Sequence, residues 1–64
     1  MPKFQIITTD GTSYVDGTDR HFEVFGVTET LTDYAEQGDY VVLRYSGGIE
    51  DGIPESRIAH VITA

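Results

Sequence analysis

The sequence predicts an all-β domain, a small antiparallel barrel of five or six strands. Two observations lead to this prediction. β-Branched and aromatic residues recur in short alternating stretches, and glycine, aspartate and proline separate these stretches along the chain. The 64 residues allow a single domain, spanning residues 1–64, with a thin core. Because the chain has no cysteine, disulfides cannot hold this core together.

The stretch Asp39–Tyr45 is predicted to be the central strand, because it is the densest run of aromatic and β-branched residues in the chain. Alternation divides it into two faces. The apolar face, expected to lie against the core, consists of Val41, Leu43 and Tyr45. The mixed face, expected to meet solvent, consists of Tyr40, Val42 and Arg44.

The first predicted strand carries Phe4 and Ile6 on one face. The dipeptide Asp10-Gly11 follows it, between residues that favour strands. This pattern is typical of a two-residue type I′ hairpin turn, in which both central residues need positive φ. We therefore expect residues 12–15 to return as a short partner strand.

Residues 20–28 alternate again, with Phe22 and Val24 predicted to point inward. The apolar phase then breaks at Gly26, where a bulge or a sharp bend is expected. The apolar residues that this bend would return to the core are Phe25 and Val27. A corner of this kind is typical of a small barrel.

The segment 31–37 allows one or two helical turns. Thr30 and Asp33 fit a helix-capping pattern, and Gly38 occupies the position of a left-handed helix end. The apolar residues at helical spacing are Leu31, Tyr34 and Ala35. A structured loop is an equal alternative, because so short a helix needs tertiary support.

The C-terminal third predicts a strand over residues 49–53 that folds back on the central strand, and a last strand over residues 57–62, giving a three-strand sheet. Residues 53–58, with Pro54, resemble the linker before the final strand of SH3-like barrels, where a proline-led turn, often a single 3₁₀ turn, precedes a short strand. The resemblance covers the last third of the chain and implies the architecture only, since no tryptophan is present to build a groove for proline-rich peptides. The residues predicted to point inward are Phe4, Ile6, Phe22, Val24, Val41, Leu43, Ala59 and Val61.

The formal net charge of -7 limits the partners that this chain can bind. Excess negative charge repels nucleic acid and anionic lipid, whereas a basic protein partner remains compatible with it. The negative charge therefore argues against direct nucleic-acid binding. No stretch has the apolar length of a signal peptide or a membrane span, so we expect no membrane contact either. The expected location is the cytoplasm.

Catalytic and metal chemistry find little support in the residue pattern. His21 and His60 are the candidates for a general base, but no nucleophile motif or paired acids accompany either one. The acids that could converge on a calcium ion are Asp10, Asp16 and Asp19. Their spacing does not fit a calcium-binding loop, and aspartate-glycine pairs are common in turns.

A second acidic cluster, interpreted as a solvated hairpin, consists of Glu50, Asp51 and Glu55. We predict no enzyme activity, no cofactor and no metal site.

Tyrosine offers the best sign of a recognition surface, because it supplies contact area at low entropic cost. The predicted protein-binding residues are Tyr34, Tyr40, Val42, Arg44 and Asp39, in a patch bordered by Asp33, Glu36 and Asp39. We therefore expect a small acidic protein-binding module. The alternatives are an acidic protein that imitates nucleic acid, of the kind phages encode, and a small metal-binding or enzymatic domain. A homo-oligomer also remains open, because thin cores gain burial by pairing strand edges.

Overall fold

The computed structural model describes residues 2–64. Within them the chain forms seven strands, one more than the upper number expected, and the predicted all-β class is confirmed. The strands are β1 (Phe4–Thr8), β2 (Ser13–Val15), β3 (Asp19–Phe22), β4 (Val27–Gln37), β5 (Tyr40–Tyr45), β6 (Glu50–Pro54) and β7 (Ile58–Thr63). A 3₁₀ turn at Glu55–Arg57 joins β6 to β7.

The strands form two antiparallel sheets, ordered β2-β1-β7 and β3-β4-β5-β6, and one sheet is curled into a half-barrel. The predicted return of β6 onto β5 is confirmed. The predicted three-strand C-terminal sheet is wrong in its last member, because β7 crosses to β1. The 3₁₀ turn directs this crossing, and Thr9 N–H donates a hydrogen bond to the Arg57 carbonyl at 2.8 Å beside it.

The core lies between the two sheets. Its buried apolar residues are Phe4, Ile6, Leu31, Val41, Leu43, Tyr45 and Ile53. The two faces predicted for the central strand are therefore confirmed, with Val41, Leu43 and Tyr45 buried in the core. Phe22 is half-buried and packs edge-on against the Tyr45 ring, with 4.9 Å between ring centroids.

Three residues predicted to point inward are exposed. Val24 is 90% exposed because it lies in the turn between β3 and β4 rather than in a strand. Ala59 lies at a register shift in the β1–β7 pairing and is exposed. Val61 is opposite Ile6 on the core side, yet it is 38% exposed because the second sheet does not cover it.

Gly26 closes a hairpin instead of bending a strand. β3 and β4 pair up to Phe22 and Val27, and the Gly26 N–H donates to the Phe22 carbonyl at 2.8 Å. Gly26 has a φ of 66°, which favours glycine. The expected return of Phe25 and Val27 to the core is therefore wrong, and both side chains are exposed.

The helix or loop expected over residues 31–37 is also wrong, since β4 runs through this segment. A register shift between Leu31 and Asp33 explains the misleading spacing. Leu31 pairs with Tyr45 and Tyr34 pairs with Leu43, so the irregularity places two residues three apart on the same core face of a strand. Apolar residues at i and i+3 therefore imitated a helix.

The hairpin at Asp10-Gly11 is confirmed, but its turn type is not I′. β1 ends at Thr8 and β2 begins at Ser13, and only Gly11 of the two turn residues has positive φ. The Asp10 carboxylate accepts hydrogen bonds from the Thr8 hydroxyl and, at 3.0 Å, from the Thr12 N–H. These contacts stabilise a longer loop that needs one left-handed residue instead of two.

Candidate functional site

The outward face of β4, β5 and β6 gathers most of the predicted recognition residues. Residues paired across antiparallel strands share a face, so the register fixes its composition in three rows. The rows are Gln37, Tyr40 and Pro54; Ala35, Val42 and Gly52; and Asp33, Arg44 and Glu50. We call these nine residues the Tyr40 face.

The first two rows of the Tyr40 face are apolar except for Gln37. Tyr40 is 50% exposed, whereas Ala35 and Val42 are half-buried beside it. A Cβ atom placed on Gly52 would lie 3.5 Å from Cδ2 of the Tyr40 ring. This is an ordinary contact distance, so the Tyr40 ring lies close over the backbone at Gly52.

The third row of the Tyr40 face is charged. Arg44 Nε lies 3.2 Å from Glu50 Oε2, but this buried nitrogen makes no aligned hydrogen bond, so the contact is an ion pair only. The carboxylate of Asp33 accepts a hydrogen bond from the Tyr34 N–H at 2.8 Å. This end of the face therefore offers a charged border to the apolar rows.

The five predicted binding residues do not all meet. Tyr40, Val42 and Arg44 share the Tyr40 face, and Asp39 precedes Tyr40 in the exposed turn, where its carbonyl accepts the Glu55 N–H at 2.8 Å. Tyr34 lies on the opposite, core side. Its ring is half-buried against Phe4, with 4.7 Å between centroids, and so it cannot join the others.

The tip of the β3–β4 hairpin is an exposed apolar site that the sequence interpretation missed. Val24 is 90% exposed, and Phe25 beside it is 65% exposed. The signal that could have revealed it is Gly26 directly after this pair, since glycine is as typical of a hairpin turn as of a bulge. The molecule thus has two separate exposed aromatic residues, Tyr40 and Phe25.

Arg20 is held on the concave side by aromatic and acidic neighbours. Its Nη1 donates to Asp51 Oδ2 at 2.9 Å and to the Tyr45 hydroxyl at 3.2 Å, and its guanidinium lies 4.8 Å from the Phe22 ring centre. The hydrogen bond to Tyr45 raises the pKa of Arg20, and burial raises the pKa of nearby Tyr14. Since Arg20 and Asp51 belong to β3 and β6, the two outer strands of the larger sheet, this contact supports its curvature.

At least seven of the eleven acidic side chains have partners inside the molecule. These are Asp10, Asp16, Asp19, Glu29, Asp33, Glu50 and Asp51. Among residues 2–64, the acids that make no side-chain hydrogen bond or ion pair are Glu23, Glu36, Asp39 and Glu55. Three of these four lie near the turn between β4 and β5 or at the start of the 3₁₀ turn. Three carboxylates without a side-chain partner in residues 2–64 therefore lie at one end of the molecule, with Arg57 as the cation of the same 3₁₀ turn.

The three aspartates considered for calcium act separately. Asp16 accepts the backbone N–H groups of Lys3 and Phe4, Asp19 accepts the Thr30 hydroxyl, and Asp10 stabilises its own turn. In the described part of the chain, no three acidic or histidine side chains are grouped so that they could hold a metal ion. Both histidines are exposed.

No helix in residues 2–64 is long and apolar enough to cross a membrane. Comparison of the chain with protein-family models, with curated proteins and with solved structures gave no match.

Proposed function

We propose that this chain is a small acidic protein-binding module, without catalytic activity of its own, and that it contacts its partner through the Tyr40 face. The supporting observation is the half-exposed Tyr40 ring beside Gly52, next to Val42. An exposed tyrosine on a strand surface offers a large, rigid contact area, and tyrosine is enriched where binding energy is concentrated.

The charge near this surface favours a basic partner. Asp39 and Glu55 lie beside the Tyr40 row and make no side-chain ion pair in residues 2–64, in a chain with a net charge of -7. Unpaired carboxylates at the rim attract a cationic surface and speed its encounter in a salt-dependent way. Tyr40 would then anchor the complex, while the acids orient it.

We assign the architecture to the SH3-like barrels as part of this proposal. An N-terminal hairpin, a β4–β5–β6 meander and a 3₁₀ turn before the last strand support the assignment, as does the pairing of β7 with β1. The absence of cysteine is in keeping with a cytoplasmic location, which we also propose.

Imitation of nucleic acid is the less favoured function. A decoy needs free carboxylates spaced over one face, whereas Asp51 and Glu50 are each paired with an arginine. On the Tyr40 face, Arg44 also stands between Asp33 and Glu50 and interrupts any row of negative charge. These contacts favour a tyrosine-centred surface over an acidic array.

Affinity capture from the native host tests the proposal. Wild-type protein, Tyr40→Ala and Phe25→Ala are immobilised in parallel, so that one exposed aromatic residue serves as the control for the other. We expect one basic protein to be retained by wild type and Phe25→Ala and lost with Tyr40→Ala. If the partner survives Tyr40→Ala but is lost when Glu36, Asp39 and Glu55 are changed to glutamine or asparagine, the decoy function replaces the proposed one.

A further inference from the structure

The outer edge of β7 is the longest sheet edge without a charged residue or a proline, since β2, the other edge strand that lacks them, has only three residues. β7 ends the β2-β1-β7 sheet, and its residues from Ala59 to Thr63 are exposed. It contains no acid, no lysine, no arginine and no proline. By contrast, the edge strand β6 carries two acids and a proline, and β3 carries an aspartate and an arginine. Charges and prolines at edges hinder the addition of further strands, and β7 lacks them.

The backbone groups of β7 that point outward can be assigned from the ladder. The Ala64 N–H donates to the Lys3 carbonyl at 2.9 Å, which marks a hydrogen-bonded pair between β7 and β1. Bonded and non-bonded pairs alternate in an antiparallel ladder, so Ile62 and His60 also bond to β1. The N–H and C=O groups of Val61 and Thr63 therefore point away from β1, toward the open edge.

A cleft of about 310 Å³ lies beside this edge. Its lining residues are Glu36, Val41, Glu55, Ile58 and Val61. The floor is thus apolar, and its charged members are two glutamates that make no side-chain hydrogen bond or ion pair in residues 2–64. Val61 faces the core side but keeps 38% exposure, so an apolar side chain placed in the cleft would cover it.

We propose that the β7 edge receives an extended segment of a partner protein as an added strand, with an apolar side chain over Val61 and a lysine or arginine beside Glu36 and Glu55. Strand addition uses backbone hydrogen bonds for affinity and alternate side chains for selectivity. The inference rests on the proposed protein-binding function and adds a second contact surface to it.

Charge favours a basic segment over a second copy of this chain. Two copies paired through β7 would each bring a net charge of -7, and each would add its own Glu36 and Glu55 near the junction. Like charges in such proximity oppose association, whereas a basic residue compensates both glutamates. A second copy is accordingly the competing outcome in the test.

The test uses a synthetic probe, the capped peptide Thr-Val-Thr-Lys-Thr-Val-Thr-Lys, in which valine and lysine share one face of an extended strand, and amide exchange measured residue by residue by NMR. Without peptide, we expect the Val61 and Thr63 amides to exchange faster than those of His60 and Ile62. With peptide, Val61 and Thr63 should become protected several-fold. A peptide with N-methyl groups at alternate positions, or with glutamate in place of lysine, should give no protection.

Two charge variants of this chain test whether the lysine of the peptide lies beside Glu36 and Glu55. The double variant Glu36→Lys, Glu55→Lys should weaken peptide binding several-fold, whereas Glu23→Lys at the hairpin tip should bind as wild type does. The Tyr40→Ala variant should also bind the peptide normally, so failure of the Tyr40 proposal would leave this result unchanged.

Three outcomes would overturn the inference. They are unchanged exchange at Val61 with peptide, equal protection by the lysine and glutamate peptides, and protection that rises with protein concentration in the absence of peptide. The last result would identify a second copy of this chain as the occupant.

Discussion

The carboxylate of Glu29 in β4 accepts the backbone N–H of Gly47 at 2.9 Å, and through the same oxygen it accepts the Ile49 N–H at 3.3 Å. Glu29 is buried and both bonds are part-buried, so water competes for them less than it does at the surface. They fasten the turn between β5 and β6 to β4. A Cβ atom on Gly47 would overlap the Glu29 carboxylate, so this turn accepts only glycine there without rearrangement.

Gly47→Ala should therefore destabilise the protein by about 1 to 3 kcal/mol, because the Glu29 carboxylate must move and lose its part-buried hydrogen bonds with the Gly47 and Ile49 N–H groups. Gly52→Ala is the matched control, since its new Cβ would meet only the Tyr40 ring at an ordinary contact distance of 3.5 Å. Urea unfolding measures both free energies. Equal stability of the two variants would show that the Glu29 contact is unimportant.

Leu43→Ala should cost about 2 to 5 kcal/mol, because Leu43 is fully buried at the centre of β5. A loss of this size approaches the whole stability of a small domain. Val42→Ala, one residue away on the Tyr40 face, should cost much less, since Val42 is only half-buried. Thermal unfolding by circular dichroism compares the two variants, and an equally small effect of both would place the core elsewhere.

Asp10 should make stability depend on pH in the acid range. The hydrogen bond from Thr8 is the main cause that lowers the pKa of Asp10 from 3.8 to about 2. Since the folded pKa lies below the unfolded one, the stabilisation is present above about pH 4 and is lost as the pH falls toward about 2. Melting temperatures across that range should fall less steeply for Asp10→Asn than for wild type. Parallel slopes would contradict this role of the carboxylate.

The elements that the sequence predicts correctly are those in which local pattern and tertiary packing agree. β5 has strict alternation with Leu43 inside, and turns that contain glycine separate it from the strands before and after it. Where an extra residue is inserted into one strand of a ladder, the spacing of apolar residues no longer follows the strand period and predicts the wrong secondary structure. The register shift between Leu31 and Asp33 turned a strand into an apparent helix, and for that reason Tyr34 was placed on the wrong surface.

The local sequence pattern does not show which strands pair when they are far apart in the chain. Nothing in residues 57–62 distinguishes pairing with β6 from pairing with β1, so the crossing of β7 and the exposure of Val61 could not be foreseen. Phe25 was misplaced because a glycine after two apolar residues fits a bulge and a hairpin turn equally well. In contrast, alternation alone brought Tyr40 and Val42 together on the outer face.

The affinity of the captured partner for purified wild type, Tyr40→Ala and Phe25→Ala, measured by isothermal titration calorimetry, tests the binding proposal most directly. Tyr40→Ala should weaken binding by about 2 kcal/mol or more, roughly thirtyfold, while unfolding at the same temperature as wild type. Phe25→Ala should bind within error of wild type, and added salt should weaken every complex. Unchanged affinity of the folded Tyr40→Ala protein would contradict the Tyr40 face as the binding surface.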